Sequence, residues 1–207
     1  MKYLFLTISF SFVLHHFLAF AQQLPLVQAK AMQKEKYYNW LISKPKRDEH
    51  VHDIWLVSGC KESVNNVAVS SSLPSQSNEN YLSDNLADDD PTTAWVDGKN
   101  DGIGEFVEFM AFPYSKWHIL NGHQKDKLTW ESYARVKKMR IFIEGKPAFE
   151  VILEDKMGTQ TFELPENFKI DPDKISTGTK IKMVILSVYE GKKFKEVAIS
   201  ELFFAGC

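Results

Sequence analysis

Short β-prone runs separated by turns are the feature that most limits how this chain can fold. From Ile54 onward, apolar and polar residues alternate over a few residues at a time, and glycine, proline or asparagine interrupts them. The runs lie at residues 64–69, 105–112, 117–120, 136–143, 149–153, 160–164, 179–189 and 197–205. No segment after Ser43 shows the period of a helix. The pattern predicts an all-β sandwich or jelly roll and disfavours an alternating β-α-β protein.

Residues 1–21 have the composition of a secretory signal peptide that is removed from the mature protein. Lys2 precedes a long apolar run, and Ala19-Phe20-Ala21 supplies the small-x-small cleavage motif. A retained transmembrane anchor is the alternative, which the cleavage motif disfavours. No later apolar run approaches the roughly 20 residues that a spanning helix needs. The sequence therefore predicts a secreted or periplasmic mature protein without a membrane span.

The segment at residues 22–53 is expected to precede the β domain as a short helix and a linker. Apolar residues recur at near-helical spacing between Leu26 and Ser43, and Pro45 ends the pattern. A charged connector follows the proline. We expect the β domain itself to occupy residues 54–207.

The charge balance bears on the class of partner. The 207 residues include 25 Lys and Arg against 27 Asp and Glu, which gives a formal net charge of -2. The lysine-rich pieces at residues 125–127 and 192–195 are interleaved with acids. Nucleic-acid binding needs a concentrated basic face, so we expect no nucleic-acid partner.

The two cysteines, Cys60 and Cys207, bracket the predicted β domain. In an oxidising compartment they can pair, and we expect a disulfide between them. The bridge would close a loop of roughly 150 residues, which the chain-entropy model values at about 3–5 kcal/mol. Two unrelated thiols are the alternative.

Recognised catalytic motifs are missing from the sequence. It has no G-x-S-x-G elbow, no H-E-x-x-H pair and no phosphate-binding loop. His118 and His123 lie close together without an acid or a hydroxyl nucleophile at a recognised spacing. Glu105 and Glu108 stand three apart on a predicted strand and therefore face opposite sides. We expect a protein that is not an enzyme; a glycosidase whose acid pair is assembled only by the fold remains a further hypothesis.

An acidic turn and the last strand carry the most specific pattern in the chain. The turn is followed, in a fixed order, by glycine turns, an arginine-led strand and a closing Ser-Glu pair. These motifs are Asn85-Leu86-x-Asp88-x-Asp90-Pro91-x-Thr93-x-Trp95, Gly102-x-Gly104-Glu105-Phe106, Asn121-Gly122, Arg135-Val136-Lys137, Val188-Tyr189-x-Gly191 and Ile199-Ser200-Glu201-Leu202. The set resembles the galactose-binding-like superfamily, which includes discoidin and F5/8 type C domains. It is most similar to the glycan-binding, translocation-type domain of secreted NAD-glycohydrolases.

The resemblance implies a jelly-roll β-sandwich of two antiparallel sheets, with the binding loops clustered at one end. In many relatives the acidic turn and the closing Ser-Glu hold a structural Ca²⁺, which implicates Asp88, Asp90, Thr93 and Glu201. Carboxylate and carbonyl oxygens suit that cation. The alternative is a turn held by its own hydrogen bonds. Trp95 is expected in the core.

Candidate ligand-binding residues follow from the chemistry of sugar recognition, which needs flat aromatic faces and polar groups that reach hydroxyl pairs. The middle of the chain concentrates such side chains in one loop-rich region, and a later loop can join them. The candidates are Trp117, Asn121, His123, Trp130, Tyr133, Arg135 and Tyr189. The alternative is that Arg135 and Trp130 only brace the sandwich.

The sequence thus predicts a secreted, non-catalytic binding module that recognises carbohydrate, or another cell-surface ligand, through loops at one end of a β-sandwich. A protein-interaction or envelope-assembly module is the alternative. NAD cleavage is not expected, because the chain ends at Cys207 without room for a second, catalytic domain.

Overall fold

The computed structural model of the protein describes residues 23–31, 61–76, 79–99, 101–111, 116–166, 168 and 178–205. Within them lie a 3-10 helix at Ser83–Leu86, one α-helix, α1, at Lys127–Ser132, and twelve strands. The strands are β1 Leu26–Gln28, β2 Lys30–Ala31, β3 Lys61–Ser63, β4 Asn65–Val69, β5 Trp95–Val96, β6 Phe106–Ala111, β7 Lys116–Asn121, β8 Arg135–Ile143, β9 Lys146–Ile152, β10 Thr159–Glu163, β11 Thr179–Tyr189 and β12 Ala198–Ala205.

The strands form two sheets packed face to face. The first sheet has the order β1-β9-β8-β11-β6-β4, and the second has the order β2-β10-β7-β12-β3, with β5 paired to β12. Neighbouring strands are antiparallel apart from β1 and β9, which run parallel. The predicted jelly-roll β-sandwich is confirmed.

The core lies between the sheets and is built from alternating inward-facing side chains. The Trp117 ring packs against Phe149, Phe162 and Phe204, with ring centroids 6.0, 5.5 and 4.9 Å away. Each such fully buried side chain contributes about 2–3 kcal/mol to the free energy of unfolding. Trp95 is completely buried, as predicted, and its indole Nε1 donates to the Ser71 carbonyl.

The helix predicted to begin at Leu26 is wrong over residues 26–31, which form β1 and β2 instead. Strand pairing outweighs the helical spacing here, because a short isolated helix is marginal and the edges of β9 and β10 need hydrogen-bond partners. Ala29 N donates to Ile152 O at 2.9 Å, and Glu150 N donates to Pro25 O at 2.8 Å. This segment therefore runs along the edges of both sheets.

One short helix, α1, departs from the expectation of no helix after Ser43. The Asp126 side chain caps it by accepting from Thr129 N at 2.7 Å. Trp130 anchors it, because the indole Nε1 donates to Asn121 O. With six residues, α1 is too short to give a periodic apolar pattern, and the aspartate cap was its only sequence signal.

The longer connections gather at one end of the sandwich, which we call the loop end. Among the described residues, it holds 70–76, 79–99, 101–105, 121–135, 153–158 and 189–198. Bridges join them: Ala134 pairs with Val197, and β5 pairs with the start of β12. The opposite end holds the turn between β8 and β9.

Several predictions fall on residues outside those that the structure describes. These are the signal peptide at residues 1–21, the remainder of the predicted helix and linker at residues 32–53, and the disulfide between Cys60 and Cys207. They stay predictions. Among the described residues, no helix has both the length and the apolar character to cross a bilayer.

Candidate ligand-binding site at the loop end

Asn121 holds two parts of the loop end together and has no free polar atom in its amide group. It is fully buried, its Nδ2 donates to Val136 O at 2.8 Å, and its Oδ1 accepts from Val136 N at 2.9 Å. The next residue, Gly122, has φ of 88°, and a Cβ there would lie 2.7 Å from the Trp130 ring. Asn121 and Gly122 therefore allow the Trp130 indole to pack closely against the end of β7. Neither residue is available to a ligand.

Arg135 braces the loop end from within. The residue is 6% exposed, and its side chain binds Asp155 through Nε at 2.7 Å and Nη2 at 3.2 Å. Its Nη1 donates to Tyr133 O at 2.8 Å, and the guanidinium lies 4.5 Å from the centre of the Trp130 ring. The bracing interpretation of Arg135 and Trp130 therefore matches the geometry. Asp155, the partner that fixes the guanidinium, was missed from the sequence.

Replacing Arg135 with alanine is expected to lower the free energy of unfolding by about 2 kcal/mol. The change leaves buried carbonyl groups without donors, while the exposure of Asp155 limits the loss. Lysine should not restore stability, because it cannot make the paired contact. Asp155→Asn is the control, with an expected loss below about 1 kcal/mol. Urea unfolding measures all three, and equal stability of R135A and wild type would contradict the bracing role.

Two other candidate residues, Trp117 and Tyr189, also pack or form hydrogen bonds within the domain. Trp117 lies 1% exposed in the core between the sheets, so its prediction as a ligand platform is wrong: β7 turns it inward. Tyr189 ends β11 beside Arg135, and its hydroxyl donates to Leu153 O at 3.0 Å. Tyr189 is half-buried and joins the loop end as a support for the β9–β10 connection.

Four rings form a continuous row across the loop end, which we call the aromatic row: Tyr81, His123, Tyr133 and Phe194. Ring centroids lie 6.5 Å apart for Tyr81–His123, 5.6 Å for His123–Tyr133 and 4.7 Å for Tyr133–Phe194. The first three are buried, whereas Phe194 is 43% exposed. The row therefore presents one ring to solvent on a rigid aromatic base.

His123 is a neutral member of this row at physiological pH. It is 3% exposed, and burial lowers its pKa from 6.5 to about 4. Its Nδ1 is buried without a hydrogen-bond partner. The imidazole therefore contributes a flat, uncharged surface.

A polar rim of Glu79 and Lys125 borders the aromatic row at its Tyr81 end. Lys125 Nζ binds Glu79 Oε1, and the Tyr81 hydroxyl donates to Glu79 Oε2 at 2.9 Å. The hydrogen bonds from Lys125 and Tyr81 hold the pKa of Glu79 below its ordinary value. Tyr81 and Tyr133 also join their hydroxyl oxygens at 3.3 Å. The rim thus offers an ionised acceptor and a cationic donor side by side.

Of the residues in the row and its rim, the sequence indicated His123 and Tyr133 as candidates, but it did not indicate Glu79, Tyr81, Lys125 or Phe194. Phe194 sits within Lys192-Lys193-Phe194-Lys195, which reads as a solvated turn. Glu79 follows a polar stretch that carries no pattern. An aromatic residue inside a charged turn was the one signal that could have marked Phe194.

The acidic turn of the sequence analysis forms a network of its own hydrogen bonds. Asp88 Oδ1 accepts from Asp90 N at 2.9 Å, and Asp88 Oδ2 accepts from Thr93 Oγ1 at 2.8 Å. Asp90 Oδ1 accepts from both N and Oγ1 of Thr92. Glu201 lies fully buried in β12, whereas Asp88 and Asp90 are exposed. Among the described residues, no three acidic, histidine or cysteine side chains converge as a metal site would require.

The comparisons with known proteins agree with this architecture. Residues 58–205 match the model of the NAD glycohydrolase translocation F5/8 type C domain family. The chain belongs to this family. Among curated proteins, none matches this F5/8 type C domain in sequence.

Two of the solved structures similar to this F5/8 type C domain contain the tandem CBM32 domains of ZmpB from Clostridium perfringens. The CBM32-1 and CBM32-2 domains of ZmpB match with a TM-score of 0.53, 11% identity and coverage of 89% of this chain and 42% of theirs. The same domains in complex with GalNAc match with a TM-score of 0.51, 12% identity and coverage of 89% and 40%. This chain therefore spans less than half of those structures, and the likeness establishes the fold.

Calcium binding by this F5/8 type C domain stays a prediction that thermal unfolding can test. Asp88 and Asp90 are exposed in the turn whereas Glu201 is buried in β12, and these side chains do not converge, so they do not fit the predicted four-residue site. We therefore expect the same Tm in excess EDTA and in excess Ca²⁺. A site saturated a hundredfold above its Kd would add about 2.7 kcal/mol, and a matching rise in Tm with Ca²⁺ would restore the calcium interpretation.

Proposed function

We propose that this domain is an exported, non-catalytic binding module that recognises carbohydrate at the loop end. The observation that carries the proposal is the aromatic row, which ends in the exposed Phe194 ring and has the Glu79–Lys125 pair at its other end, beside Tyr81. The ring offers its apolar face to the C–H face of a sugar, and a carboxylate beside an ammonium offers an acceptor and a donor to neighbouring hydroxyls.

The rigidity of the base supports a binding role. Phe194 packs on Tyr133, and Phe194 N donates to Ser132 O at 2.9 Å. Arg135 fixes the backbone on either side of this contact through Tyr133 O and Glu190 O. Little conformational freedom is left to lose on binding, which favours affinity for a small, polar ligand.

The charge arrangement supports a non-catalytic role. General acid–base chemistry needs a carboxyl or an imidazole with a proton to exchange near neutral pH. Glu79 is held ionised by Lys125, Asp155 is paired with Arg135, and burial keeps His123 neutral. The similar CBM32 structure holds GalNAc, which fits the same class of ligand.

A glycan-array screen tests the proposal with a matched pair of variants. Phe194→Ala removes the exposed ring of the aromatic row, while Ile103→Ala removes an exposed apolar side chain elsewhere on the loop end. We expect wild type and I103A to bind the same sugars, and F194A to lose the signal at least tenfold. Trp130→Ala is unsuitable, because it removes a brace together with any contact.

A blank array for wild type would instead favour the alternative, a protein-interaction module that uses the same exposed apolar side chains. Export is a separate part of the proposal and rests on residues 1–21. Sequencing the N-terminus of the protein recovered outside the cytoplasm should give Gln22 as the first residue. Recovery of the intact N-terminus would contradict cleavage.

A further inference from the structure

The outer face of the first sheet carries a groove that the loop end does not use. Its volume is about 500 Å³, within the range of ordinary ligand sites. Strands β6, β8 and β11 form it, so its side chains stand on rigid backbone rather than on loops. The described lining consists of Glu108, Phe142, Glu144, Gly145, Lys180, Lys182 and Val184.

Strand register sets the floor of this groove. Lys182 lies opposite Glu108 on one side and opposite Phe142 on the other, which places three outward side chains in one row. A register shift between Ile141 and Phe142 interrupts the pairing of β8 with β9 at this point. The extra residue at this shift is Ala148 of β9, so Phe142 keeps its regular outward direction opposite Lys182.

The hairpin between β8 and β9 closes one end of the groove. Glu144 and Gly145 both have positive φ, 49° and 75°, which is the two-residue turn that suits a twisted hairpin. Glu144 N donates to Lys180 O at 2.9 Å, and Lys180 N donates to Glu144 Oε1 at 3.0 Å. These two hydrogen bonds hold the turn against β11, so the turn forms a fixed wall at one end of the groove.

The charges of the lining indicate the class of ligand. Lys180 pairs with Glu108 at 2.7 Å, and the Lys182 ammonium lies 3.6 Å from the centre of the Phe106 ring. Glu144 adds a second acid, so two cations and two acids balance around the groove. A strongly charged polymer would meet like charge here, whereas hydroxyl groups find donors and acceptors beside an aromatic face.

We propose that this groove is a second carbohydrate site, which binds an uncharged stretch of polysaccharide chain beside Phe142 while the loop end holds another unit. The inference rests on the proposed function. Two sites on one rigid domain raise the affinity for a polymer by avidity and leave the affinity for a single sugar unchanged.

Affinity electrophoresis in gels that contain soluble neutral polysaccharides (galactan, mannan, xylan and mixed-linkage glucan) tests this inference on the full chain. Phe142→Ala is the groove variant, Phe194→Ala is the loop-end variant, and Leu26→Ala is the control. Leu26 is 59% exposed at the edge of the same sheet and lies outside the groove. Calorimetry with GalNAc measures the loop end alone, and thermal unfolding verifies that each variant is folded.

We expect F142A to be retarded at least tenfold less than wild type by a retaining polymer, with unchanged GalNAc affinity and with L26A equal to wild type. Equal retardation of a folded F142A and wild type would contradict carbohydrate binding in the groove. It would leave the proposed loop-end site unaffected. Loss of retardation in F142A but not in F194A would support carbohydrate binding in the groove and contradict a carbohydrate site at the loop end. Wild type that no polymer retards would overturn the groove whatever its affinity for GalNAc.

Discussion

Acidification from neutral pH to about 4.5 is expected to lower the free energy of unfolding by about 5 kcal/mol through two buried histidines. Burial lowers the pKa of both His118 and His123 from 6.5 to about 4. An unfolded chain takes up a proton at each imidazole near pH 6.5, whereas the folded protein stays neutral until about pH 4. Each unit of that difference is worth about 1.4 kcal/mol per group.

The direction follows from which state binds more protons. Above about pH 6.5 both states are neutral at these imidazoles, and the full stability is present. As the pH falls toward 4, only the unfolded state gains protons, so stability is lost through this window. His118 stacks on Phe203 at 4.9 Å, bonds Thr161 through Nδ1, and lies near Lys116, which further lowers its pKa.

Urea unfolding across this pH range measures the effect. Glu79 and Glu150, whose pKa values are lowered by their ion pairs, add to the loss only near and below about pH 4.5, where the unfolded carboxyls take up protons. His118→Gln and His123→Gln should each remove about half of the pH dependence, because glutamine cannot take up the proton. A pH dependence that is the same in both variants and in wild type would contradict the assignment.

Gly191→Ala is expected to lower the free energy of unfolding by about 3 kcal/mol and to abolish ligand binding at the loop end. A Cβ at this position would lie 2.4 Å from Ser132 O, from Phe194 O and from Tyr133 C. All three are backbone atoms and cannot rotate away. The chain at residues 190–196 must therefore move, which separates Phe194 from Tyr133 and adds the cost of overpacking.

Gly158→Ala is the matched control for this prediction. Gly158 also lies at the loop end and has φ of 103°, but a Cβ there would meet no atom within 4 Å. Its substitution should cost about 1 kcal/mol from backbone strain alone and leave binding unchanged. Thermal unfolding and the glycan array measure both variants. Equal stability of G191A and G158A would show that loop packing is not what positions Phe194.

The long strands of the first sheet could be predicted from the sequence because buried and partly exposed side chains alternate along much of β6, β9 and β11. The run at residues 179–189 corresponds to β11, and Met139 and Ile141 of β8 face the core as their spacing indicated. The first strands could not be predicted, because tertiary pairing with β9 and β10 outweighs the local helical spacing between Leu26 and Ala31.

The sequence indicated only some of the residues that form the proposed site, which stays a prediction. The sequence identifies residue types that suit a ligand, but whether their polar atoms are already used depends on partners distant in the chain. The Asn121 amide is hydrogen-bonded to the backbone of Val136. The Arg135 guanidinium is hydrogen-bonded to Asp155 and to the carbonyls of three residues. Phe194 becomes a platform only because Tyr133 lies beneath it, a contact between residues that are far apart in the sequence.

An NMR titration of the ¹⁵N-labelled protein with a sugar selected on the array is the most direct measurement of where the ligand binds. We expect the largest amide shift changes at Lys125, Tyr133 and Phe194, with weaker changes at Glu79 and Tyr81. Changes confined to other surfaces of the sandwich, with these five amides unmoved at saturation, would contradict a carbohydrate site at the loop end.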